Sequence, residues 1–246
     1  EAFWYFNSLP TAQVIVSQKR VKGIQYLEKL IPKIEIVLLD DAFQHRAITC
    51  KVNIILTTFD LLYTEDKMLP QGRLREWKTG EKRAQIIIVT KCPENLSLDQ
   101  KIQIIQDINP FDYQHVFFTA IKYSKPYCLK GGIEFNPHTI SSIKALSGIA
   151  NNDHFISLCK TLHHEVTPIS FADHYDYTLN DIIIANLKES EVIFTTEKDA
   201  VKLSMPELKN LLPMNKVFVI PIIPHFLFNE EMRFKQIVMQ ELKSKN

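Results

Sequence analysis

Along the first half of the chain, short apolar runs alternate with helix-length amphipathic stretches: "QVIVS", then Lys19 to Leu30, then "IEIVLLD", "VNIILTT" and "QIIIVTK". Runs this short and this rich in Val and Ile read as strands covered on both faces, the kind found inside parallel sheets. Strands alternating with helices predict a doubly wound, mostly parallel sheet. After Pro93, Leu98 to Ile108 fits a helix and "HVFFTAIKY" a further strand. The pattern then lapses. From Ser124 to His138, two prolines, Gly131 and Gly132 mark a turn-rich link or hairpin.

The alternation resumes with "IKALSGIAN" and with "NDHFISLCKTLHHE", a helix that sets Phe155, Leu158, Cys159 and Leu162 on one face. A polar loop "SFADHYDYT", a helix from Leu179 to about Lys188, the strand "EVIFTT", a short helix "EKDAVKL", the strand "KVFVIPI" and a terminal helix complete the chain. The expected organisation is a first α/β lobe over residues 1–125, a link over 126–140 and a second, smaller α/β lobe over 141–246. Clefts between such lobes commonly hold substrates.

Composition narrows the picture only slightly. With 246 residues, 46% apolar and 23% charged, the chain has the make-up of an ordinary globular protein. A formal charge of +1 gives no global field to attract nucleic acid, so partners must be read from local sites. The cysteines Cys50, Cys92, Cys128 and Cys159 are scattered singly, without zinc-site spacing or the density of a disulfide scaffold. The longest apolar stretch, "VFVIPIIPHFLF", is broken by Pro221 and Pro224 and falls short of the ~20 residues that span a bilayer. The opening "EAFWYFNSLP" has no signal-peptide pattern and reads as the interior of a larger protein, with Trp4 and Tyr5 either packing on a preceding part or meeting a membrane interface.

The chemistry begins at "IVLLDDAFQHR", where a buried-strand pattern ends in two adjacent carboxylates. Ligands of parallel sheets bind at the strands' carboxyl ends, so Asp40 and Asp41 are either helix-capping residues or the anionic wall of a site. A phosphate-binding loop needs G-x-x-x-x-G-K followed by Ser or Thr, so that backbone N–H groups wrap the phosphates. None of the six glycines begins that pattern. If a nucleotide is used, its main phosphate cradle lies outside these residues.

"LLDDAFQHR", "LPQGRLRE", "FADHYDYTLNDI" and "TTEKDAVK" occur in this order and together resemble the tetraacyldisaccharide 4'-kinase family, the lipid A 4'-kinases of Gram-negative bacteria. The resemblance implies a P-loop-kinase-like fold, here incomplete, and ATP- and Mg²⁺-dependent phosphorylation of the 4'-hydroxyl of a tetraacylated glucosamine disaccharide. It implies peripheral contact with the cytoplasmic face of the inner membrane. It leaves acyl-chain preference and oligomeric state open.

By that resemblance Asp40 and Asp41 hold the Walker-B-like position beside Mg²⁺, with Glu76 a further metal-side residue and His45 lining the floor. Arg73 and Arg75 supply cations near the transferring phosphate, and Arg75 and Asp41 count among the catalytic group. A solvated basic loop is the plain alternative for residues 73–76. Asp173 and His174 match the family's active-site pair, His174 as the partner of a general base, though Ala172 stands where the family has proline. Lys198 is the candidate contact for anionic groups, whereas Thr196 and Asp199 read as a helix cap. Thr90 and Lys91 follow a strand and are either a nucleotide-base contact or an ordinary loop. Two other readings were open on these residues. A metal-dependent phosphohydrolase would gather Asp40, Asp41, His45, Asp173, His174 and Asp176 around metal, and a non-catalytic fragment would gather nothing.

Overall fold

The computed structural model describes residues 2, 5, 6, 9–31, 33–149, 152–173, 175–181 and 187–244. The chain divides into two compact units. The first comprises Ile15–Lys122 and Pro224–Asn246, the second Glu1–Val14 and Tyr123–Ile223.

The first unit is built on β1 (Ile54–Thr58), β2 (Ile86–Cys92) and β3 (His115–Tyr123), with β9 (Ile222–Phe226) beside β3, in the order β1-β2-β3-β9. β1 runs parallel to β2 with Ile54 opposite Ile86, and β2 runs parallel to β3 with Ile87 opposite Val116. The register slips after Val89, where Lys91 takes a left-handed φ of 57° before Cys92 re-pairs with Ala120. Side chains alternate across the sheet as period-two strands require. Ile87, Val89, Val116 and Phe118 face one layer with α2 (Leu98–Ile108), while Ile86, Ile88 and Phe117 face α6 (Glu231–Lys243) through Phe234 and Ile237. α2 begins at Ser97, whose side chain and that of Gln100 cap each other's backbone N–H groups, and it ends at Asn109 with φ 49°.

α1 (Arg20–Leu30) matches the amphipathic stretch expected there. The two flanking apolar runs do not form the buried strands their composition predicts. Residues 13–17 and 34–39 have no ladder, and Val16 and Leu38 are 77% and 88% exposed. β-branched composition favours extended backbone, but a strand exists only where a neighbour supplies hydrogen bonds.

The second unit holds a five-stranded sheet of β4 (Tyr127–Cys128), β5 (Ser142–Ser147), β6 (Val166–Ser170), β7 (Glu191–Thr196) and β8 (Val217–Ile220), ordered β4-β8-β7-β5-β6. All pairs are parallel except β4 with β8. α3 (Asp153–Leu162) covers one face with Phe155 and Cys159 against Ile143, Phe194 and Phe218. Leu203 of α4 (Glu197–Leu203) and Leu208 of α5 (Pro206–Lys209) cover the other, against Leu146, Ile193 and Val217. The expected single strand "KVFVIPI" is two. Pro221 has no N–H to continue the ladder, so β8 ends before it and β9 begins after it in the other sheet. Most of the helix expected from Leu179 lies outside the described residues, as does Trp4. Among the described residues no helix is long and apolar enough to cross a membrane.

Candidate active site

In the first unit, the turn after residues 34–39 carries Asp40 and Asp41, both exposed, and Asp41 adopts φ 45°. Asp is among the few residue types that tolerate this left-handed backbone. The next turn is closed by His45 N–H donating to Ala42 O at 2.9 Å.

The second piece is the loop 66–76. Asp66 Oδ1 accepts the N–H groups of Lys67 and Arg73, and Leu74 N–H donates to Lys67 O, so the chain folds back within eight residues. A Cβ at Gly72 would run into Lys67 O, Asp66 Oδ1 and Lys67 N, so only glycine fits this close approach. The doubled-back loop presents Arg73 and Arg75 to solvent.

Two contacts join the pieces. Arg75 Nη1 lies 2.5 Å from Asp41 Oδ2. Glu76 takes one arginine on each oxygen, Arg83 Nη2 on Oε1 at 2.7 Å and Arg46 Nη2 on Oε2 at 3.2 Å. Arg83 also donates to Phe43 O at 2.9 Å and lies 4.4 Å from the centre of the Phe43 ring. A pocket of about 450 Å³ opens beside this network, lined by residues that include His45, Arg46, Cys50, Thr79 and Arg83. The structure thus brings Asp41, His45, Arg75 and Glu76 into one neighbourhood. Arg46 and Arg83 were missed by sequence reasoning. Arg46 ends the quoted motif and could have been weighed; Arg83, in "EKRAQ", carries no local signal.

Asp173 and Lys198, both exposed, belong to the second unit. His174 lies outside the described residues. Described residues on either side are tied down: Phe171 N–H donates to Ser147 O at 2.9 Å, Tyr175 O–H to Asp181, and Tyr177 O–H to Asp199 Oδ1 at 2.8 Å. Burial first, and then the Asp199 charge, push the Tyr177 hydroxyl well above the ordinary tyrosine range and keep it a donor. Burial alone would raise Asp181, but hydrogen bonds from Thr178 and Tyr175 outweigh it and hold this carboxyl below its usual range. Thr178 and Thr196 both act as helix-start residues, as their spacing to Asp181 and Asp199 predicts.

Among the described residues no group of three or more His, Cys, Asp or Glu side chains is placed to hold a metal. A magnesium ion serving a nucleotide asks for less, one or two carboxylates with phosphate and water oxygens completing its shell. Adjacent exposed carboxylates at Asp40 and Asp41 fit that requirement.

Two parallel-dominated sheets, each packed against helices, define an α/β protein. The fold matches that of LpxK from Aquifex aeolicus, solved in complex with ATP, with a TM-score of 0.69 at 24% identity over 98% of this chain and 68% of that one. The family profile for tetraacyldisaccharide-1-P 4'-kinase matches residues 1–243, and the chain belongs to that family. Among its relatives, the tetraacyldisaccharide 4'-kinase of Flavobacterium johnsoniae is 34% identical over 99% of this chain and 70% of its own length. That of Flavobacterium psychrophilum is 36% identical over 97% and 68%.

Proposed function

We propose that this chain serves ATP-dependent phosphorylation of the 4'-hydroxyl of a tetraacylated glucosamine disaccharide, the lipid A precursor. The observation that carries the reading is the family match over residues 1–243. It is supported by the cluster in which Asp41 meets Arg75 and Glu76 meets Arg46 and Arg83.

Phosphoryl transfer is mainly a matter of positioning and of neutralising charge on the moving group. Asp40 and Asp41 are the residues that would hold Mg²⁺, which when bound would neutralise charge on the β- and γ-phosphate oxygens. Arg75, resting on Asp41, is poised to contact phosphate, and Arg73 beside it adds a second cation. Glu76 orients Arg46 and Arg83 along the pocket edge near His45. His174, next to Asp173, assists removal of the acceptor's hydroxyl proton, and Lys198 contacts anionic groups of the acceptor. The acyl chains of such an acceptor stay in the bilayer. The reading therefore has the protein work peripherally, at the cytoplasmic face of the inner membrane.

The test uses γ-labelled ATP, Mg²⁺ and a tetraacyldisaccharide 1-phosphate acceptor in mixed micelles. Protein of the relatives' full length is expected to form 4'-phosphorylated product, and His174→Ala in it to lower kcat by ~10²-fold or more. The 246-residue chain alone is expected to form none, because no phosphate-binding loop occurs in it. No product from the longer protein would overturn the kinase reading, and product from the 246-residue chain alone would overturn the assignment of the phosphate cradle elsewhere.

A further inference from the structure

We infer that Asp199 is a positioning residue, whose buried carboxylate sets the loop carrying Asp173 against the end of β5 and the start of α4. This rests on the kinase reading above. Asp199 is 1% exposed, and removing a carboxylate from water is costly unless donors replace the water. The described donors are neutral and come from three separate pieces of chain. Oδ2 accepts Thr196 Oγ1–H at 2.7 Å and Gly148 N–H at 3.1 Å, and Oδ1 accepts Tyr177 O–H at 2.8 Å.

A helix cap at Thr196 needs only the bond from Asp199 N–H to Thr196 Oγ1, at 3.2 Å. The carboxylate's other bonds do nothing for the helix. They tie down Gly148, one residue beyond β5, and Tyr177, at the end of the loop 171–177. At Gly148 a Cβ would sit 3.2 Å from Ala172 O, Asp199 Oδ1 and Tyr177 Oη alike, so strand end, loop and helix start converge closely there and a side chain would press on all three. Further ties grip the loop on both sides of Asp173. The Phe171 ring stacks on Tyr175 at 4.6 Å and meets Tyr177 edge-on at 5.2 Å, and Lys202 Nζ donates to Tyr175 O at 2.5 Å. Asp199 thus gives the "TTEKDAVK" motif a role beyond capping. It fixes where the backbone of residues 172, 173 and 175–177 runs.

The experiment measures acceptor phosphorylation by the full-length protein and its Tyr177→Phe, Thr196→Val, Thr196→Ser and Asp199→Asn variants. Tyr177→Phe and Thr196→Val are expected to lower kcat by about 10- to 100-fold, the effect of misplacing a reacting group by about 1 Å. KM for ATP is expected to stay within about twofold, since the loop acts on the acceptor side. Thr196→Ser, which keeps the hydroxyl, is expected to restore the wild-type rate. Asp199→Asn puts donors against donors and is the harshest change; if it does not fold, Tyr177→Phe, which deletes one oxygen, still decides. Tyr177→Phe and Thr196→Val at wild-type kcat overturn the inference, as does a loss that tracks only the unfolded fraction and is no smaller in Thr196→Ser. Wild-type protein without activity overturns the kinase reading instead, so the two failures are distinguishable.

Discussion

Arg83 organises the first-unit cluster, and replacing it with alanine measures how firmly the cluster is held. Its guanidinium makes an ion pair with Glu76, a hydrogen bond to Phe43 O and a contact with the Phe43 ring. The Arg83 and Glu76 side chains are 33% and 21% exposed, so the pair is worth about 0.5–1 kcal/mol. The charged hydrogen bond adds about 1.5 kcal/mol and the ring contact about 0.5–1 kcal/mol. Contributions that share one side chain overlap, so a net destabilisation of about 2 kcal/mol is expected for Arg83→Ala. With a urea dependence of about 2 kcal/mol per molar, the midpoint should fall by about 1 M. Arg83→Lys keeps the charge but not the planar fork and should recover less than half. A double-mutant cycle with Glu76→Gln, followed by far-ultraviolet circular dichroism, should give a coupling of about 0.5–1 kcal/mol. A midpoint unchanged in Arg83→Ala, with zero coupling to Glu76, would refute this account of the cluster.

Two further outcomes follow from perturbed side chains. A backbone hydrogen bond from Lys188, together with Lys144 and Ser142, holds the Glu191 carboxyl below its ordinary range against the opposing effect of burial. The folded-state value is the lower one, so this stabilisation is complete above the unfolded value of about 4.3 and is lost as pH falls through the folded value. Denaturation curves of wild type and Glu191→Gln should therefore differ at pH 7 and converge in acid; a constant gap would contradict the assignment. Burial pushes the Cys159 thiol up to about 12 and the Cys92 thiol up to about 11, while Cys50 is half-buried. Alkylation at pH 8 followed by peptide mass mapping should label Cys50 first and Cys159 only on unfolding, because the thiolate is the reactive form.

The strands that sit inside a sheet were legible. "QIIIVTK", "HVFFTAIKY" and "EVIFTT" are β2, β3 and β7, because continuous burial leaves an unbroken apolar run. Thr178 and Thr196 were equally readable as helix starts, since a cap is local chemistry. "QVIVS" and "IEIVLLD" misled because composition reports what a segment prefers and not whether a neighbour pairs with it. The switch of sheet at Pro221 is non-local too. A proline shows where a ladder stops, not where the next strand goes. Asp41, Arg75 and Glu76 could be named as candidates because they stand in dense motifs, and the structure shows them in ion pairs. Arg83 could not, because its importance comes from a carbonyl 40 residues earlier in sequence.

The return of the last 23 residues to the first unit sets the order in which that unit is completed on the ribosome. Phe117 is sealed by Phe226 and Phe234, yet β9 is made about 100 residues after β3 ends. At 5–20 residues per second that is a delay of about 5–20 s. For that interval, while the strands of the second sheet are being made, the first sheet keeps one bare apolar side, a natural foothold for a chaperone.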